Sequence, residues 1–215
     1  MSDSSARPDV QAARDDDVAI LRFDTGPVNS VRPKTMIDLC RELEAVRDDP
    51  GVRAVVLGHT GRHFVAGADF GFLEALKDAT PQQIRDDIYR YFQGAVRTLY
   101  DYPKPVVASI GGAAITVGCE IALACDFRVV GPQAAFQESW INLGAMPPLG
   151  GLKSLAALIG YGRAADMILR GARVEGAEAV RIGLAHELVD EAGAVEARAI
   201  ALARELGAKP PLAYR

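Results

Sequence analysis

The sequence has few cysteines, few aromatic residues and no apolar run long enough for a membrane span. Its three cysteines are odd in number and form no Cys-x-x-Cys pair, which argues against a disulfide framework and against a zinc site. No apolar stretch approaches the roughly 20 residues that a transmembrane helix needs, so no membrane segment is predicted. The polar N-terminal segment has no signal-peptide core. These absences favour a reducing, cytoplasmic location.

An excess of positive charge is also lacking. The chain has 24 Lys and Arg against 28 Asp and Glu, a formal net charge of -4. This balance argues against a nucleic-acid-binding or anionic-membrane surface, although a local basic pocket for a phosphorylated ligand is compatible with it. The 215 residues are 49% hydrophobic, enough for a sizeable core without a metal or disulfide staple.

Strand and helix patterns alternate along most of the chain. Residues 1–16 are rich in Ser, Asp, Ala and Arg and predict a flexible leader, which leaves 17–215 as the folded domain. Apolar runs predict strands over 18–23, 53–57, 106–110, 127–130, 134–136 and 188–189. Helical spacing and caps predict helices over 70–76, 152–159, 164–170, 177–182 and 194–206, with two more after residues 30 and 80. The alternation predicts a mixed α/β domain with right-handed crossovers.

One stretch, residues 103–126, combines a buried strand, a glycine turn and a helix N-terminus. Gly111-Gly112 follows the strand, a helix begins near Val117, and Glu120 lies in its first turn. Backbone N–H groups at such a point can bind an anion or a developing oxyanion, and Glu120 could move a proton. Such turns are also common structural features of α/β proteins, so both interpretations stay open on this stretch alone.

A second glycine-rich loop follows the predicted strand 53–57. Its residues, HTGRHFVAGADF from His59 to Phe70, leave the backbone accessible at the end of a strand where α/β proteins bind ligands. His59 and His63 suggest a chemical role, but loop histidines more often simply form hydrogen bonds. No neighbouring Cys or carboxylate spacing resembles a metal site.

Four ordered blocks together resemble the enoyl-CoA hydratase/isomerase (crotonase) superfamily. They read GRHFVAGAD, PKPVVASIGGAAITVGCEIALACD, AAFQESWINLGAMPPLGG and GLAHELV. The resemblance covers about residues 18–206 and implies an α/β fold, a crotonase-like spiral of ββα units. It further implies an acyl-CoA substrate, no cofactor besides that thioester, and a homo-oligomer, a trimer or hexamer. Because family members usually continue beyond Arg215, the C-terminal helical part is expected to be shortened and its interface weakened.

The resemblance also assigns roles to individual residues. The backbone N–H groups of Ala68 and Val117 would form the oxyanion hole, and Glu120 would be the catalytic acid/base. The substrate path would be lined by Ala66, Gly67, Asp69, Phe70 and Trp140. Preorganised N–H donors suit a thioester enolate because its negative charge develops on oxygen.

This sequence departs from the family pattern at two places. Thr116-Val117-Gly118 replaces a glycine run, so the Val117 Cβ is expected to crowd the turn. Trp140 stands where the family has its second catalytic glutamate, and Trp cannot exchange a proton at neutral pH. Glu138 is two residues away and out of register with the motif.

Three functions are compatible with these residues. Double-bond isomerisation needs one shuttling carboxylate and is favoured. Hydration usually uses two carboxylates in this family, and hydrolysis or decarboxylation are further family reactions. A non-catalytic acyl-CoA-binding protein is the third possibility, since Val and Trp in place of Gly and Glu are what loss of catalysis would produce.

Overall fold

The computed structural model describes residues 7–211. Its strands are β1 (Val10–Asp15), β2 (Val18–Phe23), β3 (Ser30–Val31), β4 (Ala54–His59), β5 (Gly67–Ala68), β6 (Val106–Ile110), β7 (Ala113–Ile115), β8 (Phe127–Val130), β9 (Ala135–Gln137), β10 (Arg173–Glu175) and β11 (Glu187–Leu188). Its α-helices are α1 (Pro33–Arg47), α2 (Phe70–Ala75), α3 (Pro81–Ile84), α4 (Gln93–Tyr100), α5 (Val117–Ala124), α6 (Gly151–Ile159), α7 (Tyr161–Arg170), α8 (Gly176–Arg181) and α9 (Val195–Gly207). Single turns of 3₁₀ helix are Leu76–Asp78, Ser139–Leu143 and Ala192–Ala194, and a π-helical segment, Arg85–Phe92, joins α3 to α4.

The described residues form a central six-stranded sheet in the order β1-β2-β4-β6-β8-β11. Only β1 is antiparallel to its neighbour; the other pairs are parallel. Strands β4 and β6 are almost entirely buried because helices cover both faces of the sheet. Short strands β3, β5, β7 and β9 each follow a central strand and pair in smaller sheets. This repeated β-β-helix order is the predicted spiral of ββα units, and the fold prediction is confirmed.

The hydrophobic core lies on both faces of the central sheet. On one face, α9 packs on Val18, Val56 and Val107, with Ala199 and Leu202 pointing inward. On the other face a larger cluster joins the sheet to α1, α4 and α5. All eight residues of α5 are buried, so the helix that carries Glu120 is fixed within this larger cluster. None of the helices within 7–211 is long and apolar enough to cross a membrane.

The sequence predicted a flexible leader over residues 1–16, and this prediction was wrong for residues 10–15. Residues 1–6 lie outside the described range. Val10–Asp15 form an edge strand, with Val10 opposite Phe23 and Asp15 opposite Val18. Four of the six residues are exposed, so the strand has no hydrophobic pattern to detect. The hairpin loop is Asp16-Asp17, and Asp16 adopts φ 57°, a conformation that Asp tolerates. The charge run that suggested disorder is the turn of a hairpin.

The N-cap of the first helix differs from what residue type alone favours. Asn and Ser are common N-cap residues and Asn29 and Ser30 precede this helix, but its N-cap is Arg32. Asn29 instead lies in the left-handed region at φ 52°, and its side chain donates to the His63 carbonyl at 2.9 Å. Short polar side chains that bond the backbone of a second loop stabilise such turns. Asn29 therefore joins the loop after β2 to the glycine-rich loop after β4.

Candidate active site

The turn before α5 is strained at Thr116. Thr116 has φ 49° and ψ -111°, a conformation that is unfavourable for a β-branched residue. Val117 occupies the first helical position, so the expected crowding falls on Thr116, not on Val117. The Thr116 N–H donates to the Gln137 carbonyl at 2.8 Å, which holds the turn against β9. The N–H of Val117 belongs to the first helical turn, whose donors have no acceptor inside the helix.

The glycine-rich loop after β4 supplies the second predicted donor. Gly67 has φ 122°, and a Cβ there would meet the Thr116 hydroxyl at 2.8 Å, so glycine permits the two turns to approach each other. The Asp69 N–H donates to the Val31 carbonyl at 2.8 Å. Because donors alternate along a strand, the N–H of Ala68 points to the opposite side, away from β3.

A small cavity of about 70 Å³ lies between these two turns. It is lined by Ala68, Phe72, Leu73, Leu76, Ile88, Phe92, Val117, Trp140, Pro148 and Leu149. The residues that carry both predicted oxyanion donors therefore face one apolar space, together with Trp140. Phe92 stacks on Phe72 and ends the π-helical segment, a feature that is frequent at functional sites.

Of the five predicted substrate-path residues, only Trp140 lines this cavity, and the other four do not. Ala66 donates its N–H to the Val28 carbonyl at 3.1 Å, and Gly67 is buried in the strand pair. The Asp69 side chain accepts from the Phe72 N–H at 2.9 Å and caps α2. Phe70 is 76% exposed. Their role toward CoA stays a prediction, and in this structure they shape and cap the loop that presents Ala68.

Glu120 lies directly behind the cavity wall and is 1% exposed. Its Oε1 accepts the Leu149 and Gly151 N–H groups at 2.7 and 2.9 Å, and its Oε2 accepts the Trp140 indole N–H at 3.2 Å. A Cβ on Gly151 would meet Oε1 at 3.1 Å, so glycine allows the start of α6 to approach the carboxylate. Burial raises the pKa of Glu120 to about 7 against the opposing effect of these donors. A carboxyl that titrates near neutral pH suits proton transfer.

Sequence reasoning missed the environment of Glu138. This residue is fully buried and immediately precedes the 3₁₀ turn that carries Trp140. Within the described part of the chain, neither of its carboxyl oxygens has a hydrogen-bond partner. Burial, together with the negative charge of Glu120, raises the pKa of Glu138 to about 9. The one sequence signal for this burial was that Glu138 lies close to the apolar residues Ala135, Phe136 and Trp140, which are themselves buried.

The loop histidines have structural roles, as the sequence favoured. His59 Nδ1–H donates to the Gly61 carbonyl at 2.9 Å, and its Nε2 accepts the Gly111 N–H at 3.0 Å. His63 Nδ1 accepts the Ala113 N–H at 3.2 Å. Burial lowers the pKa of both rings, so both are neutral at neutral pH. Over residues 7–211, no three His, Cys, Asp or Glu side chains are grouped so that they could hold a metal ion.

Comparison with known proteins identifies the family. The family model for enoyl-CoA hydratase/isomerase matches residues 13–215. The chain belongs to this family. A Thermus thermophilus protein provisionally named an enoyl-CoA hydratase is 34% identical over 190 residues, which cover 87% of this chain and 73% of that protein.

Other members of the enoyl-CoA hydratase/isomerase family are also similar. The peroxisomal Delta(3,5)-Delta(2,4)-dienoyl-CoA isomerase of Arabidopsis thaliana is 27% identical over 195 residues, covering 86% of this chain and 70% of that protein. The crystal structure of an enoyl-CoA hydratase from Polaromonas sp. JS666 has a TM-score of 0.90 at 28% identity, covering 95% of this chain and 79% of that one. The family resemblance predicted from the four sequence blocks is confirmed, and an acyl-CoA substrate is consistent with it.

Proposed function

We propose that this protein isomerises the double bond of an enoyl-CoA thioester with Glu120 as its single acid/base. The observation that carries the proposal is the hydrogen bond from Trp140 to Glu120. Where the family has a second glutamate, this chain has an indole that only donates. The residues that carry the two backbone donors line one apolar cavity, and the Glu120 carboxylate lies directly behind its Trp140 and Leu149 wall.

The chemistry requires one proton to be moved between two carbons. Glu120, ionised, removes a proton from C2 of a 3-enoyl thioester, and the electrons shift into the carbonyl to give a dienolate. The Ala68 and Val117 N–H groups stabilise the oxygen that gains negative charge. Glu120 then returns the same proton to C4, which leaves a 2-enoyl thioester and regenerates the carboxylate. Because the carboxylate lies behind Trp140 and Leu149, the acyl chain reaches it only when this wall widens.

The test is a parallel isomerisation and hydration assay. Conversion of a 3-enoyl-CoA to the conjugated 2-enoyl-CoA is followed by the increase in absorbance of the conjugated thioester. Hydration of a 2-enoyl-CoA is followed by the decrease in the same absorbance. We expect isomerisation to exceed hydration in the wild type, and Glu120→Gln to lower isomerisation by roughly 10²–10⁴-fold. Glu44→Gln, at a 68% exposed side chain, is the matched control and keeps full activity. Efficient hydration by the wild type would overturn the single-carboxylate mechanism.

Two alternatives follow from specific observations. Relatives named as hydratases favour hydration, with Trp140 as part of the acyl pocket. The small cavity and the three donors that occupy Glu120 favour a non-catalytic acyl-CoA-binding protein. Equal turnover by the wild type and Glu120→Gln, with unchanged thioester binding in calorimetry, would support the binding protein.

We also propose that the chain self-associates. Apolar side chains on the 3₁₀ turn, α6 and α7 are exposed; they are Ile141, Leu143, Leu152, Leu158, Tyr161 and Leu169. Contiguous exposed apolar surface is typical of protein interfaces. Light scattering at tens of micromolar should find an oligomer, in the range where weak association is populated, and a strict monomer would contradict the proposal. A cytoplasmic location stays a prediction.

A further inference from the structure

The Glu138 carboxyl is buried without hydrogen-bond donors, in contrast to the Glu120 carboxyl. Glu120 accepts three N–H groups, whereas the Glu138 oxygens accept none from residues 7–211. Both side chains are at most 1% exposed. An ionised carboxylate is strongly disfavoured in a dry environment unless donors replace its lost water. The negative charge of the two groups therefore belongs on Glu120.

The groups that act on Glu138 leave it no cation to pair with. Cys119 and Glu120 face it from α5, and the thiol is a weak donor whose geometry does not complete a hydrogen bond. On the α7 side, a Cβ on Gly171 would lie 3.9 Å from the Glu138 carbonyl oxygen, and Gly171 brings no charge. Arg128 acts on Cys119, but its guanidinium donates to the Leu184, Ala122 and Cys125 carbonyls.

We propose that Glu138 and Glu120 form a buried carboxyl pair that holds a single proton on the alkaline side of neutral pH, with Glu138 as the positioning residue that keeps it. Glu138 is then a neutral carboxylic acid while Glu120 carries the charge needed for proton abstraction. At alkaline pH the second ionisation places two negative charges together behind the cavity. This ionisation sets the alkaline limit of the site. The proposal extends the proposed acid/base role of Glu120, but the existence of the pair is testable without turnover.

The position of Glu138 makes it a positioning residue, not a catalytic one. It does not line the cavity, and it lies two residues before Trp140, whose indole contacts Glu120. It acts on the substrate only through the charge of Glu120 and the placement of the 3₁₀ turn. A purely structural role would alter stability but would leave the titration of Glu120 and Glu138 uncoupled.

The experiment is a carboxyl ¹³C NMR titration of protein labelled with [δ-¹³C]glutamate, with no substrate present. In the wild type we expect one glutamate to titrate near pH 7 and one near pH 9, in line with the pKa values of Glu120 and Glu138. Glu138→Gln should remove the alkaline step alone. Glu120→Gln should move the Glu138 step to lower pH, because the neighbouring negative charge is lost. Glu44→Gln, at an exposed site, should leave both steps unchanged.

Each outcome decides for or against the pair. A Glu138 resonance that titrates near the ordinary value of 4.5 would overturn it, as would a Glu138 step that is the same in Glu120→Gln. If Glu138→Gln does not fold, the Glu120→Gln titration still tests the coupling because Glu138 is intact in it.

Activity gives a second, separable readout. If the isomerase proposal holds, the alkaline limb of kcat/KM should be lost in Glu138→Gln while the limb near neutral pH stays. An alkaline limb that survives in Glu138→Gln would count against the pair. Absence of turnover in every variant, with a coupled NMR titration, would contradict the proposed function and leave the pair standing.

Discussion

The indole N–H of Trp140 donates to Oε2 of Glu120 at 3.2 Å, across a sequence separation of 20 residues. This bond favours the ionised form of the carboxylate while burial opposes that form. The protonation state of the site is therefore a balance between the two effects.

Trp140 should report the ionisation of Glu120 directly, because it is the only tryptophan in the chain. We expect its fluorescence to change with a midpoint near pH 7, the value to which burial raises the pKa of Glu120. The change arises because the carboxylate charge appears beside the indole N–H. Glu120→Gln should give a flat profile over the same range. The same titration in both proteins would assign the signal to another group.

Stability should fall as pH rises from about 4.5 to 9. Glu120 and Glu138 have native pKa values above their ordinary value of 4.5, so the native state keeps protons that the unfolded chain has already lost. For each of these groups, the free energy of unfolding falls by about 1.4 kcal/mol per pH unit between its ordinary pKa and its native pKa. Urea denaturation at pH 5, 7 and 9 measures the slope. Glu138→Gln should flatten the part above pH 7, and an equally steep slope in that variant would refute the assignment.

Thr116→Gly should stabilise the protein. Relief of a strained φ/ψ is worth about 1–3 kcal/mol, and the added chain entropy of glycine offsets about 0.5–1 of it. Thr116→Ala is the matched control, because Ala keeps the Cβ and therefore the strain. The measurement is the free energy of unfolding from denaturant titration. Equal stability of the two variants would show that φ at Thr116 is not the source of strain.

Gly151→Ala should lower activity more than stability. Its Cβ would lie 3.1 Å from both Glu120 Oε1 and Pro147 Cβ, so the carboxylate must shift from its donors. The shift needed is a few tenths of an ångström, and because a misplacement of about 1 Å can lower turnover by about 10²-fold, we expect a smaller loss than that. Gly162→Ala, in α7, is the control, since a Cβ there meets nothing within 4 Å. Unchanged kcat in Gly151→Ala would show that α6 does not hold Glu120 in place.

The pattern of apolar residues predicted the central strands, because strands that are buried on both faces consist of apolar residues. The run Ala54 to Leu57 is apolar throughout and became a strand covered on both faces. The helix predicted after residue 80 begins at Pro81, where Thr80 is the N-cap. Strand β1 escaped prediction since an exposed edge strand needs no apolar alternation, and its hairpin turn consists of charged residues.

The chemistry at Glu120 was predicted only in part, because its partners come from distant segments. The first-turn position of Glu120 was readable from the glycine turn before it. The donors at Leu149 and Gly151 lie about thirty residues away, and no local pattern links them to Glu120. Glu138 was not predicted as a site residue because it lies two residues away from the motif position. Its burial without hydrogen-bond donors depends on tertiary packing, which the motif alignment cannot reveal.

The buried guanidinium of Arg128 makes the end of α5 depend on a distant segment. It donates to the Ala122 and Cys125 carbonyls at the C-terminal end of α5, and to the Leu184 carbonyl, which is 56 residues downstream. Without that distant carbonyl the buried cation would have one acceptor fewer, and an incompletely paired buried charge is strongly unfavourable. Helix α5, which carries Glu120, is therefore joined through one buried guanidinium to a segment that lies 56 residues further along the chain. Loss of the Leu184 segment would leave this cation short of one acceptor at the end of α5.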